Sequence, residues 1–482
     1  MMYATYEEAS LIPPTDEGKG EYASLHSWPN RVKNLLPMAY AVLKLLVIVS
    51  CPAALLLQLA LLAVFSWRAD LLLCTLAVFF YQFVFVRWTR RIHAQKGLYY
   101  KHALTGAKHN AIEILLSRCP KLTSSCALDA GLPGLPATAW MLGGDLRTLA
   151  PFLLNSQPSY SYTRMYCRVP VADGPRRAMK QVDSMGNKYD AVAVDKTSET
   201  NLTKASSTAL LILAGLTGGS QEGYVLDLVN AASQANIRCF VMLGRGVGAG
   251  NPNRSDAGFH GARTSDLATV AMVIKGSLPP HQSLVVVGIS MGGIIAINAA
   301  ARGEITEESV SAVISVSGCF DTAKNVAYLN SRRVWQPILT FGLKENFCHP
   351  AAVERMAKRM GPNVVAKVTN CCDVLDFDKV VVTETHNFKN VWEYYKDMSG
   401  ARQPLDFSVP VLVVHAADDP IIHADTNQPE RMGTLSENLV ILLTETGGHV
   451  GFPLGTCPWR HKFLFQNELI LEFAAAASNN TD

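Results

Sequence analysis

Hydrophobic positions fall into three patterns along the chain, and each predicts a different kind of structure. Residues 1–33 have no apolar periodicity and mix Ser, Gly, Pro13 and Pro14 with acidic residues, which predicts a disordered tail. Leu45 to Trp67 then runs 23 residues without a charge. At 1.5 Å per residue a helix of that length crosses a hydrocarbon core of roughly 30 Å. A second apolar stretch, Leu71–Val86, is bounded by Asp70 and Arg87 and is short for a full crossing. It suits a hairpin's return arm or a segment lying in the interface. Residues 34–90 are therefore expected to be a membrane anchor, of one helix (45–67) or two (adding 71–86). Aromatic residues crowd the far end of the second stretch, and Arg87, Arg90, Arg91 and Lys96 follow. The bias of basic residues toward the cytosolic side would leave both ends of a hairpin in the cytosol.

From about residue 91 the pattern becomes that of a globular domain extending to 482. Short, unalternating apolar runs occur at Ala209–Ala214, Cys239–Leu243, Leu284–Val287, Ala312–Val316, Val411–Val414 and Leu439–Leu443. Such runs suit strands of a parallel sheet covered on both faces. Helical patterns separate them at Glu222–Ala235, Ser265–Lys275 and Gly292–Ala301. This alternation predicts an α/β fold, a doubly wound and mostly parallel sheet. The connection from about 322 to 406 is too long for a loop. It is expected to be a helical cap insertion over the carboxyl ends of the strands, where ligands bind in such sheets.

Composition adjusts this picture modestly. Charged residues make up 17% and hydrophobic residues 49%, a low charge that agrees with a membrane contact. The net charge is +3 with no long basic run, so nothing favours nucleic acid as a partner. The 11 cysteines are scattered and form no C-x-x-C pair, so no metal site is expected.

Candidate chemistry sits at strand ends. Gly288-Ile289-Ser290-Met291-Gly292 follows one predicted strand and opens a predicted helix. In so tight a turn the flanking glycines would let Ser290 hold a strained backbone with its hydroxyl exposed. The motif alone would arise by chance in roughly one chain in six of this length, so its placement carries the weight. Asp418-Asp419-Pro420 follows the strand Val411–Val414, and Asp419 is the expected partner of a histidine. Gly447-Gly448-His449 follows the strand Leu439–Leu443, and glycines beside His449 indicate a loop rather than a core face. The order Ser290, Asp419, His449 is that of the α/β-hydrolases. Ala214-Gly215-Leu216-Thr217-Gly218-Gly219 would supply a second backbone donor. It lacks the lysine and spacing of a phosphate-binding loop, and the N–H groups of Leu216 and Met291 are the expected oxyanion donors. His415, His423 and His386 are expected to be structural or solvated.

These residues resemble the YheT-like, or AB hydrolase 4, family of membrane-anchored α/β-hydrolases over roughly residues 140–460. Further similarities are Gly144-Asp145-Leu146-Arg147-Thr148, Arg245-Gly246 and Ser265-Asp266-Leu267. Within the insertion, Asp376-Phe377-Asp378, Thr383, Glu393-Tyr394-Tyr395 and Ser399 resemble the family signature. One departure is Ala214, where the family usually has histidine. The resemblance implies hydrolysis of carboxylic esters of lipids (monoacylglycerol, phospholipid or medium-chain acyl esters) with no metal or organic cofactor. It also implies a membrane partner, with the domain facing the cytosol from the endoplasmic reticulum or a similar membrane. Two alternatives stay open: acyl transfer to an alcohol through the same triad, and a silent hydrolase fold serving as a membrane receptor or scaffold. Acyl chain length, head group and oligomeric state are not legible.

Overall fold

The computed structural model describes residues 98–101 and, between 114 and 478, most of the chain. The longest stretches left out in between are 171–188, 248–258, 198–205 and 428–435. The expected tail and anchor (1–33, 45–67 and 71–86) lie outside the described residues. Among those described, no helix is long and apolar enough to cross a membrane.

One sheet organises the molecule. Its strands are β1 (Leu98–Lys101), β2 (Tyr162–Pro170), β3 (Tyr189–Thr197), β4 (Thr208–Leu213), β5 (Arg238–Met242), β6 (Ser283–Ile289), β7 (Ala312–Val316), β8 (Val411–Ala416) and β9 (Leu439–Thr444). They lie in the order β1-β9-β8-β7-β6-β4-β5-β3-β2. The block from β5 to β9 is parallel. β1, β2 and β3 pair antiparallel at the edges. All six apolar runs read from the sequence are strands of the parallel block, with ends shifted by two residues at most. The predicted helices appear as Gly223–Gln234, Thr264–Ser277 and Met291–Ala301. The antiparallel edge strands were not legible as apolar runs. β2, at the edge, and β3 beside it mix Tyr, Arg, Asp and Lys with apolar residues.

The uniformly apolar strands have a direct cause. Successive side chains point to opposite faces, so a strand covered on both sides must be apolar at every position. Leu210 and Ile212 of β4 join Val285 and Val287 of β6 on one face. Helices Gly223–Gln234 and Leu464–Ser478 cover that face with Val225, Leu228, Phe465 and Phe473. Ala209 and Leu211 join Leu284 and Val286 on the other face, under Leu267, Val270, Ile295 and Ile297. Each such side chain contributes about 1.5–3 kcal/mol by leaving water.

The sheet order places the functional crevice. After β4 the chain moves outward to β5, then crosses back to lay β6 on the other side of β4. Connections leave in opposite directions at β4 and β6, which opens a gap above their carboxyl ends. The loop after β4 carries Gly215 and Leu216, and the turn after β6 carries Ser290.

The long connection between β7 and β8 is helical. It includes Gln336–Phe347, Val364–Thr369, a π-helical turn at Asp378–Val382, and Val391–Met398. Asn390 caps the last of these by accepting from the N–H groups of Trp392 and Glu393 at 3.0 Å each. The stem of the insertion is closed by hydrogen bonds. The Thr322 N–H donates to Ser399 Oγ at 3.1 Å, and the Thr322 hydroxyl donates to the Tyr395 carbonyl at 2.7 Å. Arg302, at the end of the helix behind Ser290, donates to Asp397 Oδ1 at 2.8 Å. The insertion is thereby tied to the same helix that begins at the nucleophile candidate.

Candidate active site

The turn at Ser290 is strained for a steric reason. Ser290 has φ 56° and ψ −116°, a conformation that L residues rarely adopt. A Cβ on Gly288 would lie 2.2 Å from the Gly292 carbonyl oxygen, and one on Gly292 would lie 2.3 Å from the Leu213 carbonyl oxygen. No side chain fits at either position, so both glycines are required for β6 to turn directly into the helix. The Ser290 N–H donates to the Val316 carbonyl at 2.8 Å, which fixes the turn against β7.

The structure brings together the three residues named from strand ends. His449 Nε2 stands 2.7 Å from Ser290 Oγ, and His449 Nδ1 stands 2.7 Å from Asp419 Oδ2. The other oxygen, Asp419 Oδ1, accepts the N–H groups of Ile421 and Ile422 at 2.8 and 2.9 Å. Burial alone would push the Asp419 carboxyl up, but His449, His415 and the backbone donor at Ile422 outweigh it and hold it below its usual value. An ionised carboxylate only accepts, so Nδ1 carries the imidazole proton and Nε2 is left to accept the Ser290 hydroxyl. The arrangement can take a proton from Ser290 as its oxygen attacks a carbonyl.

Asp418 faces the other way. Its Oδ2 accepts from Arg147 Nη1 at 2.6 Å and its Oδ1 accepts the Gly448 N–H at 2.8 Å. Arg147 belongs to helix Gly144–Leu154, which docks both loops at once. From the same helix, the Thr148 hydroxyl accepts the His449 N–H at 2.8 Å and donates to the Gly144 carbonyl at 2.7 Å. Gly448 is left-handed at φ 66°, and a Cβ there would meet the Thr148 nitrogen at 2.7 Å. The resemblance pointed to the segment 144–148 without a role. In the structure it aligns the acid and histidine loops.

Leu216 and Met291 line the cavity at Ser290. Met291 is the first residue of its helix, where an N–H has no intrahelical acceptor. Tyr224, which sequence reasoning missed, holds the loop that carries Leu216: its hydroxyl accepts the Gly215 N–H at 2.8 Å. Phe152 and Phe463 contact the Tyr224 ring edge to face. Ala214 stands where the resembled family has histidine, and this hydrogen bond fixes the loop without that side chain.

The remaining histidines take structural places. His415 is fully buried on β8, with Nε2 3.1 Å from the Ile422 carbonyl, and burial lowers its pKa. His423 caps a short helical turn at Ala424–Thr426. His386 packs against His260 with ring centroids 4.3 Å apart.

A cavity of about 370 Å³ opens over Ser290 between the sheet and the insertion. Leu149, Phe152, Ile294, Leu339, Val374 and Met398 make much of it apolar. No Lys or Arg lines it among the described residues, and no cluster of His, Cys, Asp or Glu there could hold a metal. One buried acid, Asp378, also faces it. Burial, with Asp373 nearby, pushes its carboxyl up to about 7, and the Tyr395 hydroxyl partly offsets this. That is above the value near 3.9 of an unfolded chain. The folded state therefore keeps a proton that the unfolded state loses, and stability falls as pH rises from about 4 to about 7. Asp378→Asn should raise the melting temperature at pH 8 by roughly 5 °C, with the gain vanishing near pH 4. Thermal melts of both proteins across that range check it, and a pH-independent difference would contradict it.

The strand order with its crossover above β4 and β6, the turn at Ser290 and the matches to known proteins agree on a class. The chain is an α/β hydrolase and, within that class, an ester hydrolase. The family described as serine aminopeptidase, S33 matches residues 206–439. Phospholipase ABHD3 of Mus musculus is 26% identical over 341 residues, covering 70% of this chain and 77% of that protein. Monoacylglycerol lipase ABHD2 of Danio rerio is 23% identical over 370 residues, covering 75% of this chain and 80% of that protein. Among solved structures, an esterase of Pyrococcus furiosus is similar with a TM-score of 0.35 and 12% identity, covering 60% of this chain and 84% of that one. Agreement that loose adds nothing to the fold assignment, which rests on the strand order.

Proposed function

We propose that the protein hydrolyses carboxylic esters of lipids through an acyl-enzyme on Ser290. The observation that carries this reading is the continuous hydrogen-bonded line from Asp419 through His449 to Ser290, opening into an apolar cavity. His449 takes the proton from Ser290 Oγ as the oxygen attacks the ester carbonyl. Asp419 holds the imidazole in the required tautomer and stabilises its charged form. The Leu216 and Met291 N–H groups stabilise the negative oxygen of the tetrahedral intermediate. His449 then returns the proton to the departing alcohol, and water repeats the sequence to release the acid. The names of the phospholipase and monoacylglycerol lipase relatives support a lipid-like acyl chain, as does the apolar lining.

In this reading residues 91–482 form the hydrolase domain, with a cap at about 322–406. Leu45–Trp67 anchors it to a membrane, alone or with Leu71–Val86 as the return arm of a hairpin or a segment lying in the interface. The support is the uncharged run of 23 residues. Full recovery of the protein in the soluble fraction after an alkaline wash would rule the anchor out.

The test of activity is release of free fatty acid from monoacylglycerol, phospholipid and medium-chain esters by the purified full-length protein in detergent. Expected is turnover of at least one ester that disappears in Ser290→Ala. No turnover of any of them, with no labelling by a fluorophosphonate, would sink the proposal. Adding ethanol or a glyceride to the assay reads acyl transfer, which would appear as new ester in place of free acid.

A further inference from the structure

The insertion carries an acid for which the ester-cleaving mechanism has no use. Asp378 is buried and lines the cavity that also contains Ser290 and His449. Its Oδ2 accepts the Tyr395 hydroxyl at 2.9 Å, and among the described residues no donor reaches its Oδ1. If the pair served packing alone, it would be a costly choice. A buried carboxyl needs partners for both oxygens, and two apolar side chains would fill the same space at lower cost. No basic side chain lines the cavity to balance it, among the described residues.

Position relative to the reacting bond decides what the free oxygen can meet. Tyr395 and Met398 sit about one turn apart on helix Val391–Met398. Met398 reaches Met291, because a Cβ on Gly261 would lie 2.3 Å from the Met398 sulfur and 2.8 Å from the Met291 sulfur. Met291 follows Ser290 directly. Asp378, Tyr395 and Ser290 all line this one cavity, so an ester held at Ser290 shares it with the Asp378–Tyr395 pair. In a glycerol ester a free hydroxyl lies about 4 Å past the ester oxygen. The free oxygen of Asp378 can accept a hydrogen bond of about 2.8 Å from such a hydroxyl where the two meet in the cavity. An acyl chain has no polar atom to offer it. An anionic head group would meet Asp378, Asp373 and Glu222 in one cavity with no cation among its described residues.

We propose that Asp378, oriented by Tyr395, accepts a hydrogen bond from a free hydroxyl on the alcohol part of the ester. The preferred substrates are then acyl esters of an uncharged polyhydric alcohol. This deepens the reading of Ser290 as the nucleophile and rests on it. Asp378 is a specificity-determining residue, and Tyr395 positions it.

The experiment compares kcat/KM for a 1-monoacylglycerol and for the methyl ester of the same acid, with full-length wild type, Asp378→Leu and Asp378→Asn in detergent. A hydrogen bond to a carboxylate is worth about 10- to 100-fold, so Asp378→Leu should lower the monoacylglycerol-to-methyl-ester ratio at least about 10-fold. Methyl-ester turnover and the rate of Ser290 labelling by a fluorophosphonate should stay within about 3-fold of wild type. Asp378→Asn keeps a polar atom in place and should lower the ratio less, by about 3-fold. If Asp378→Leu does not fold, Asp378→Asn decides alone. An unchanged ratio, or equal loss on both substrates, overturns the proposal. Failure of the wild type to label at Ser290 would instead overturn the reading beneath it.

Discussion

Ser290→Ala is expected to lower ester hydrolysis by at least about 10⁴-fold and to abolish labelling by a fluorophosphonate. The expectation rests on position as much as on residue type. Ser290 Oγ is 2.7 Å from the only imidazole lining the cavity among the described residues, and strain in its backbone holds it there. Cys319 and Thr322 also line the cavity and are the nearest rivals. Burial pushes the Cys319 thiol far up, so it supplies no thiolate. The Thr322 hydroxyl is committed to the Tyr395 carbonyl. Alanine retains the volume of the turn closely enough for folding to survive, so lost activity would report chemistry. A variant that labels at the wild-type rate would mean that another residue is the nucleophile.

The adjacent aspartates should separate sharply. Asp419→Asn is expected to cost about 10⁴-fold in kcat/KM, and Asp418→Asn less than about 10-fold. The carboxamide at 419 would keep its oxygen on the N–H groups of Ile421 and Ile422, which only donate. Its NH₂ group would then face His449 Nδ1 and force the ring proton onto Nε2. In that tautomer the imidazole cannot accept the Ser290 proton. At 418 the change breaks the buried ion pair with Arg147 but spares the geometry of Ser290, His449 and Asp419. Its consequence is on stability, about 3 kcal/mol, because Arg147 is left uncompensated. Steady-state kinetics beside denaturant unfolding of each variant distinguish the two. Equal loss of activity at 418 and 419 would show that the acid role is misplaced.

Much of the parallel block, and the positions of Ser290, Asp419 and His449, are legible in the sequence. Strands covered on both faces must be apolar throughout, so β4 to β9 stand out as continuous runs. Ser290, Asp419 and His449 each sit just beyond such a run, beside glycine or proline that marks a sharp turn. The edge strands β1 and β2, and β3 beside β2, escape that reading because polar residues are mixed among their apolar ones, which blurs the pattern. Tyr224, Arg147, Thr148 and Asp378 escape it as working residues for a different reason. Arg147 meets Asp418 across 271 residues, and Thr148 meets His449 across 301. No spacing rule spans such distances. Asp376-Phe377-Asp378 is visible as a resemblance, but neither acid announces which one turns inward.

By itself the sequence determined the class of fold and the chemical types at the strand ends. Burial and turn geometry act on neighbours in the chain, and so leave a local trace. The tertiary structure alone decided that Asp418 pairs with Arg147, that the Tyr224 hydroxyl steadies the loop after β4, and that an acid from the insertion looks into the cavity over Ser290. Those outcomes depend on the direction in which each loop leaves the sheet and on what packs against it. Both are set by the layering of helices on the two faces, through contacts between residues far apart in the chain.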